Sequence, residues 1–261
     1  MRRGHEMQPV RVLRVDGLTV EVYEDRRQMG AAAAARAERI LTNAIASRGQ
    51  ARVAFASAPS QNELLDALVS SRVIDWSCVA AFHLDEYVNL PADAPQSFGR
   101  FLRERLFARV RPGEVHFLDG NAADLQAEAR RYAALLSQAP LDLALTGIGE
   151  NGHLAFNEPG MTDFEDRELV RVVELDPRSR EQQVHDGCFA SLEEVPLHAL
   201  TLTVPVIMGA RSIVCVVPGA TKRHVLRQAL YGPITPGLPA SILRRHPDAA
   251  VFADVASASE L

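Results

Sequence analysis

Apolar runs with strand character alternate with longer stretches of helical character along almost the whole chain, and few architectures accommodate that rhythm. Residues 10–23 are rich in β-branched side chains around Asp16-Gly17, which predicts a hairpin. Residues 26–47 are alanine-rich and predict a helix. Strands over 52–56, 78–84, 115–118 and 141–146 then take turns with helices over 61–70, 96–108 and 124–137. Further on, 169–175 reads as extended, 200–204 and 212–217 as strands, 221–230 as a helix and 249–253 as a last strand. Such alternation predicts an α/β fold with a mostly parallel sheet covered by helices on both faces. With 261 residues, 47% of them hydrophobic, and no Pro/Ser-rich linker, one domain is expected over 10–261 behind a flexible segment at 1–9. Ligands in such sheets bind beyond the carboxyl ends of the strands, so the loops that follow strands are where chemistry is expected.

A net charge of −5 offers no general attraction to nucleic acid or anionic membranes, so a bound phosphate needs a local arrangement. Cys78, Cys188 and Cys215 are odd in number, far apart and in no metal-like spacing, and read as reduced core residues. No apolar run approaches the roughly 18 residues of a membrane span, and the start of the chain is polar rather than signal-like. A cytoplasmic protein is expected.

Four segments that follow strands carry polar residues a core does not need. Ala56-Ser57-Ala58-Pro59-Ser60-Gln61-Asn62 leads into a helix, where free amides and serine hydroxyls can hold a phosphate; an ordinary helix start capped by Ser60 is the equal alternative. Phe82-His83-Leu84-Asp85-Glu86-Tyr87 places two acids after an apolar strand. Neighbouring side chains there point to different sides, so one can face a ligand while the other bonds locally; a buried carboxylate can serve as an acid/base, and a solvated turn or helix cap is the other reading. Pro218-Gly219-Ala220-Thr221-Lys222 puts a lysine in the first turn of a helix, where it can meet a phosphate or simply face water.

The fourth segment, Gly147 to Gly160, packs four glycines, His153 and two carboxylates into fourteen residues behind the apolar run 141–145. Gly147-x-Gly149-x-x-Gly152 matches a dinucleotide fingerprint, but that fingerprint opens a helix, and Asn157, Pro159 and Gly160 break the segment that follows. It also lies outside the first βα unit, where the fingerprint normally sits. The glycines instead let a substrate approach the backbone, and His153 with Glu158 supplies a titratable pair.

Together these segments resemble the glucosamine-6-phosphate deaminase family, also called glucosamine-6-phosphate isomerases. Leu84-Asp85-Glu86-Tyr87 is similar to its Met/Leu-Asp-Glu-Tyr, and the run from Gly147 to Pro159 to its Gly-x-Gly-x-(Asp/Asn)-Gly-His-Ile-x-Phe-Asn-Glu-Pro. Val195-Pro196, Ala199-Leu200-Thr201 and Gly219 to Lys222 extend the match, which spans about residues 20–255. The resemblance implies one α/β/α domain with a modified Rossmann-like sheet, and conversion of glucosamine 6-phosphate and water to fructose 6-phosphate and ammonia. It implies no metal or organic cofactor, an amino-sugar phosphate as small-molecule partner, and either a monomer or a homo-oligomer. Asp85 would move the C2 proton to C1, His153 would open the sugar ring, and Glu158 would orient and charge-balance the histidine. Ser57, Ser60, Gln61 and Lys222 would hold the phosphate, with Glu86, Gly147 and Gly149 completing the substrate site.

The departures are local. Asn151 stands where many members have aspartate and can relay only by hydrogen bonding. The phosphate turn has Pro59 and no glycine, an arginine that many members contribute is replaced within residues 182–187, and residues 165–168 are acidic where the family has a mobile lid. These changes touch the substrate-gripping residues and leave the closely related amino-sugar phosphates open as substrates. The neighbouring reading is a 6-phosphogluconolactonase, in which Thr-Ala-Ser-Leu-Phe-Pro usually follows the histidine, where this chain has Leu154 to Pro159. A non-catalytic sugar-phosphate-binding homologue is the reading from another class.

Overall fold

The computed structural model describes residues 8–261, so most of the segment expected to be flexible lies outside the described residues. The chain opens on a hairpin, β1 (Arg11–Val15) and β2 (Leu18–Tyr23), turning at Asp16-Gly17 as the β-branched run predicts. There follow α1 (Arg26–Arg48), β3 (Ala51–Phe55), α2 (Asn62–Ser70), β4 (Val79–His83) and β5 (Asp85–Tyr87). A helix α3 (Phe98–Leu102) continues through a π-helical stretch (Arg103–Phe107) into α4 (Ala108–Val110), then come β6 (Glu114–Val115), α5 (Leu125–Leu136) and β7 (Leu143–Thr146). The second half holds β8 (Val170–Glu174), α6 (Pro177–His185), β9 (His198–Leu202), α7 (Val204–Met208), β10 (Ser212–Val217), α8 (Arg223–Tyr231) and β11 (Ala249–Asp254).

Eight strands form the main sheet in the order β1-β2-β11-β10-β7-β3-β4-β6, parallel throughout except for the opening hairpin. Its central strands are apolar on both faces because both are covered. On β10, Val214 and Val216 pack with Met29, Leu41 and Leu64 from α1 and α2, while Ile213, Cys215 and Val217 pack with Leu226 and Leu230 from α8. Helices α1 and α2 touch closely at Gly30, where a Cβ would lie 2.4 Å from Glu63 Cβ, so a larger residue would force them apart. These features are those of a single α/β domain with a Rossmann-like, mostly parallel sheet.

Three strands depart from the expected arrangement. β8 and β9, expected in the main sheet, pair antiparallel with each other, and β5 joins them in a small second sheet of order β5-β9-β8. The chain leaves the main sheet at Leu84, whose N–H still bonds Phe55 O at 3.0 Å, and enters the second sheet one residue later. Helix α6 has no apolar stripe to announce it, because its buried residues are Ser179, Gln182 and Gln183. Its start is nonetheless marked by Asp176, which accepts from Arg178 N, and by Pro177 in its first turn. Of the three cysteines only Cys215 is buried in the core; Cys78 and Cys188 are half-buried, and all three are free. Among the described residues no helix is long and apolar enough to cross a membrane.

Candidate active site

Beyond the carboxyl ends of β3, β4, β7 and β10 lies a cleft of about 270 Å³. Ser57, Ser60 and Gln61 face it after β3, Asp85 after β4, Gly147, Gly149 and His153 after β7, and Lys222 after β10. Asn151 and Glu158 stand behind His153 and join the site through hydrogen bonds. One expected substrate residue is elsewhere: Glu86 does not line the cleft.

The split between Asp85 and Glu86 follows from strand geometry. On β5, Asp85 pairs with Thr201 and Glu86 with Leu200, and successive side chains point to opposite faces. Asp85, only 7% exposed, looks into the cleft. Glu86 turns toward the start of α3 and accepts from Ser97 Oγ (2.9 Å), Phe98 N (3.0 Å), Gly99 N (2.8 Å) and its neighbour Tyr87 N (3.0 Å). It is a buried cap that spends both oxygens on the protein, and Gly99 leaves room for it. Burial, and then the charge of Glu86, push the Asp85 pKa well above the usual carboxylate range. Glu86 is raised by burial as well, with its donors working against that shift.

The loop after β7 is shaped around one imidazole. Gly149 N donates to His153 O at 3.0 Å, folding the loop back, and the ring of His153 lies over the Gly149 Cα. A Cβ at Gly149 would sit 2.2 Å from His153 Cε1, so this glycine seats the histidine as well as lining the cleft. His153 Nδ1 lies 3.4 Å from Glu158 Oε2 and 2.9 Å from Ser179 Oγ. Asn151 donates from Nδ2 to Glu158 Oε2 (2.7 Å) and to Ser179 Oγ (3.2 Å), and its Oδ1 accepts His153 N at 3.1 Å. An aspartate at this position would set two carboxylates against each other, whereas asparagine supplies a donor. Glu158 is completely buried, which alone would raise its pKa; the adjacent His153 and the hydrogen bonds from His153, Ser179 and Asn151 outweigh burial and hold it below the usual value. It is an ionised carboxylate beside the histidine.

The other end of the cleft is short of partners. Lys222 Nζ, Ser57 Oγ and Gln61 Oε1 are buried with no hydrogen-bond partner among the described residues. Burial lowers the Lys222 pKa, while Glu150 and Asp186 partly restore it. The loop carrying Ser57 to Gln61 has no glycine, and Arg26 clamps it from α1 by donating to Pro59 O (3.0 Å) and pairing with Glu63 (3.0 and 3.1 Å). Where the family's arginine was expected, Gln182, Gln183 and Asp186 line the cleft, so no cation enters from α6. The acidic segment is tied to the surface by Arg171, which meets Asp166 at 2.6 Å.

Ser179, Gln182 and Gln183 were not among the expected site residues; the cues were the Asp176-Pro177 helix start and, for the two glutamines, the replacement of the family's arginine within residues 182–187. A wider groove of about 520 Å³ lies on the far side of Asn151, bordered by Arg178 and Leu238, and none of its side chains has a buried unpartnered atom. Most of the expected site residues gather around the smaller cleft. Among the described residues no group of three or more His, Cys, Asp or Glu side chains is placed to share a metal ion.

Comparison with known proteins places the chain in a family. The family model described as glucosamine-6-phosphate isomerases/6-phosphogluconolactonase matches residues 24–252. A glucosamine-6-phosphate deaminase of Lactobacillus delbrueckii subsp. bulgaricus is 37% identical over 214 residues, 82% of this chain and 88% of that one. That of Streptococcus pyogenes serotype M3 is 37% identical over 215 residues, 82% of this chain and 89% of the relative. Among solved structures, a monomeric glucosamine-6-phosphate deaminase superposes with a TM-score of 0.84 at 31% identity, covering 93% of this chain and 99% of that chain. A 6-phosphogluconolactonase from Shewanella baltica reaches 0.75 at 22% identity over 90% of this chain and 97% of its own, a likeness of fold.

Proposed function

The chain belongs to the family of glucosamine-6-phosphate isomerases and 6-phosphogluconolactonases, and we propose that it is an isomerising deaminase, converting glucosamine 6-phosphate, or a closely related amino-sugar phosphate, and water to the ketose phosphate and ammonia. The observation that carries this reading is a buried Asp85 with a raised pKa in the same cleft as His153. Opening a lactone needs a water activated by a base, and His153 with Glu158 could provide that. Moving a proton between two carbons needs a second, independent base facing the sugar, and Asp85 is placed for that task.

The residues then take these roles. Lys222, with the hydroxyl of Ser57 and the loop of Ser60 and Gln61, holds the phosphate and so fixes the position of the reacting carbons. His153 opens the ring by taking the proton of the anomeric hydroxyl and returning it to the ring oxygen, while ionised Glu158 balances the transient positive charge. Asp85 removes the C2 proton of the open chain, giving an enolamine, and delivers it to C1, while O1 gains the proton that the amino nitrogen gives up, which leaves a hydroxymethyl group at C1 and an imine at C2. Water adds to that carbon and ammonia departs. Asn151 takes no proton; its two donors hold Glu158 and Ser179 in place.

Ammonia release from glucosamine 6-phosphate tests the assignment. Asp85→Asn and His153→Ala are each expected to lose about 10²–10⁴-fold in kcat. Wild-type protein that released no ammonia from any amino-sugar phosphate but hydrolysed 6-phosphogluconolactone would move the assignment to the lactonase branch.

A further inference from the structure

The unpartnered atoms at the lysine end of the cleft are not alike. Lys222 Nζ and Ser57 Oγ can donate to a phosphate oxygen, whereas Gln61 Oε1 can only accept. Nor can the amide be turned round to offer its nitrogen. Gln61 Nε2 donates to Thr146 O at 3.4 Å, an atom that never donates, and to Ser60 Oγ at 3.2 Å. It also lies close against the chain after β7, where a Cβ on Gly147 would stand 3.1 Å away. The side chain is 1% exposed, and its backbone N–H is bonded to Ala58 O at 2.9 Å, so the acceptor is held in place. A phosphate dianion, whose free oxygens all accept, would set lone pairs against it.

Charge points the same way. The charged or titratable side chains that line the cleft are Arg26, Asp85, His153, Asp186 and Lys222. Arg26 is spent on Glu63 and Pro59 O, each at 3.0 Å, and His153 sits beside Glu158 at the other end. Among the described residues that leaves Lys222 as the cation free to meet a phosphate. Burial weakens its hold on a proton, and the carboxylates of Glu150 and Asp186, acting in the opposite sense, already offset its charge. A second negative charge on the ligand would find no cation of its own.

We infer that the cleft takes its phosphate as the monoanion, whose P–O–H donates to Gln61 Oε1 while its other free oxygens accept from Lys222 and Ser57. The inference rests on the sugar-phosphate reading of this cleft. Gln61 is then a specificity-determining residue that reads a proton on the ligand as well as its charge. It separates a phosphate monoester, which has a second proton titrating near pH 6, from a sulfate ester of the same shape, which has none.

Phosphorus-31 NMR of glucitol 6-phosphate, a sugar-alcohol phosphate with neither carbonyl nor amine, reads the bound phosphate without turnover. In wild-type protein its second pKa should rise from about 6 free to about 7 bound, roughly what one hydrogen bond to the protonated form gives. Gln61→Met removes the acceptor at similar length and should return the value to about 6 or below. Asp186→Asn, on an exposed side chain, should lower it part of the way. A bound phosphate titrating at or below about 6 in wild type overturns the inference, and so does a raised value that Gln61→Met leaves in place. The wild-type value decides even if that variant does not fold. Ammonia release is a separate readout: its absence, with a bound phosphate that titrates high, removes the deaminase reading alone. Failure of glucitol 6-phosphate to bind removes the phosphate role of the cleft and this inference with it.

Discussion

At one end of the cleft His153, Asn151, Ser179 and Glu158 exchange hydrogen bonds of 2.7 to 3.2 Å, and only Glu158 Oε1 is left over. At the other, Lys222, Ser57 and Gln61 bury polar atoms that none of the described residues meets. A buried polar atom without a partner costs roughly 1–3 kcal/mol, so the two ends sit at different distances from their working state. The histidine end is finished before a ligand arrives, as suits groups whose orientation sets the rate. On the proposed function the lysine end is completed by the ligand's phosphate, and part of what binding gains there is the relief of that cost. Rate and affinity should therefore separate by position along one small cleft.

Substitutions at the two ends break or sharpen this contrast. Gly149→Ala has the largest expected effect, since the new Cβ would lie within 2.2–2.4 Å of three atoms of the imidazole. Displacing a catalytic group by about 1 Å costs on the order of 10²-fold, so kcat should fall by at least that much with the fold retained by circular dichroism. An unchanged kcat would mean that the ring need not lie where it does. Lys222→Met should act the other way, raising KM about 10- to 100-fold with a smaller change in kcat, because a charged hydrogen bond to phosphate contributes about 1.5–3 kcal/mol. The ligand-free variant should also melt at a higher temperature than wild type, since an unpaired buried ammonium has been removed. A lower melting temperature would show that Lys222 is not waiting for a ligand.

The smallest effect is one of pH. Asp85 has its folded pKa raised, first by burial and then by Glu86, and must lose its proton to act as a base. The acid limb of kcat/KM, after allowance for titration of the substrate, should therefore lie above the ordinary aspartate value of about 4. The sign for stability is the opposite of a salt-bridged carboxylate: folded protein holds this proton more tightly than unfolded chain, so stability falls as pH rises past the unfolded value toward the folded one. Denaturant melts at pH 4 and pH 7 should show this loss in wild type and less of it in Asp85→Asn. Equal losses in both proteins would place the raised carboxyl elsewhere.

What could be read from the sequence followed what each element buries. The hairpin, β10 and the long helix α1 bury apolar residues in regular patterns and were legible in outline. Helix α6 buries a serine and two glutamines, so periodicity carries no trace of it, although it supplies a wall of the site. Asp85 stood out as an acid directly after an apolar strand. The use of Glu86 did not, because three of its four partners are side chain and backbone groups 11 to 13 residues further along the chain. In the same way Ser179 meets His153 across 26 residues and a second sheet. Local pattern can mark such residues as polar, and only the fold says what they touch.

The three residues of β5 leave one sheet at Leu84 and join another at Asp85, with no slack between them. Side chains alternate along that step, so losing or gaining a single residue there would turn the carboxylate of position 85 into the protein and swing its neighbour into the cleft. Such a change would keep the acidic pair and every other residue of the motif intact. In this molecule a count of residues, as much as their identity, is part of the catalytic instruction, and a motif search that ignored spacing would miss the damage.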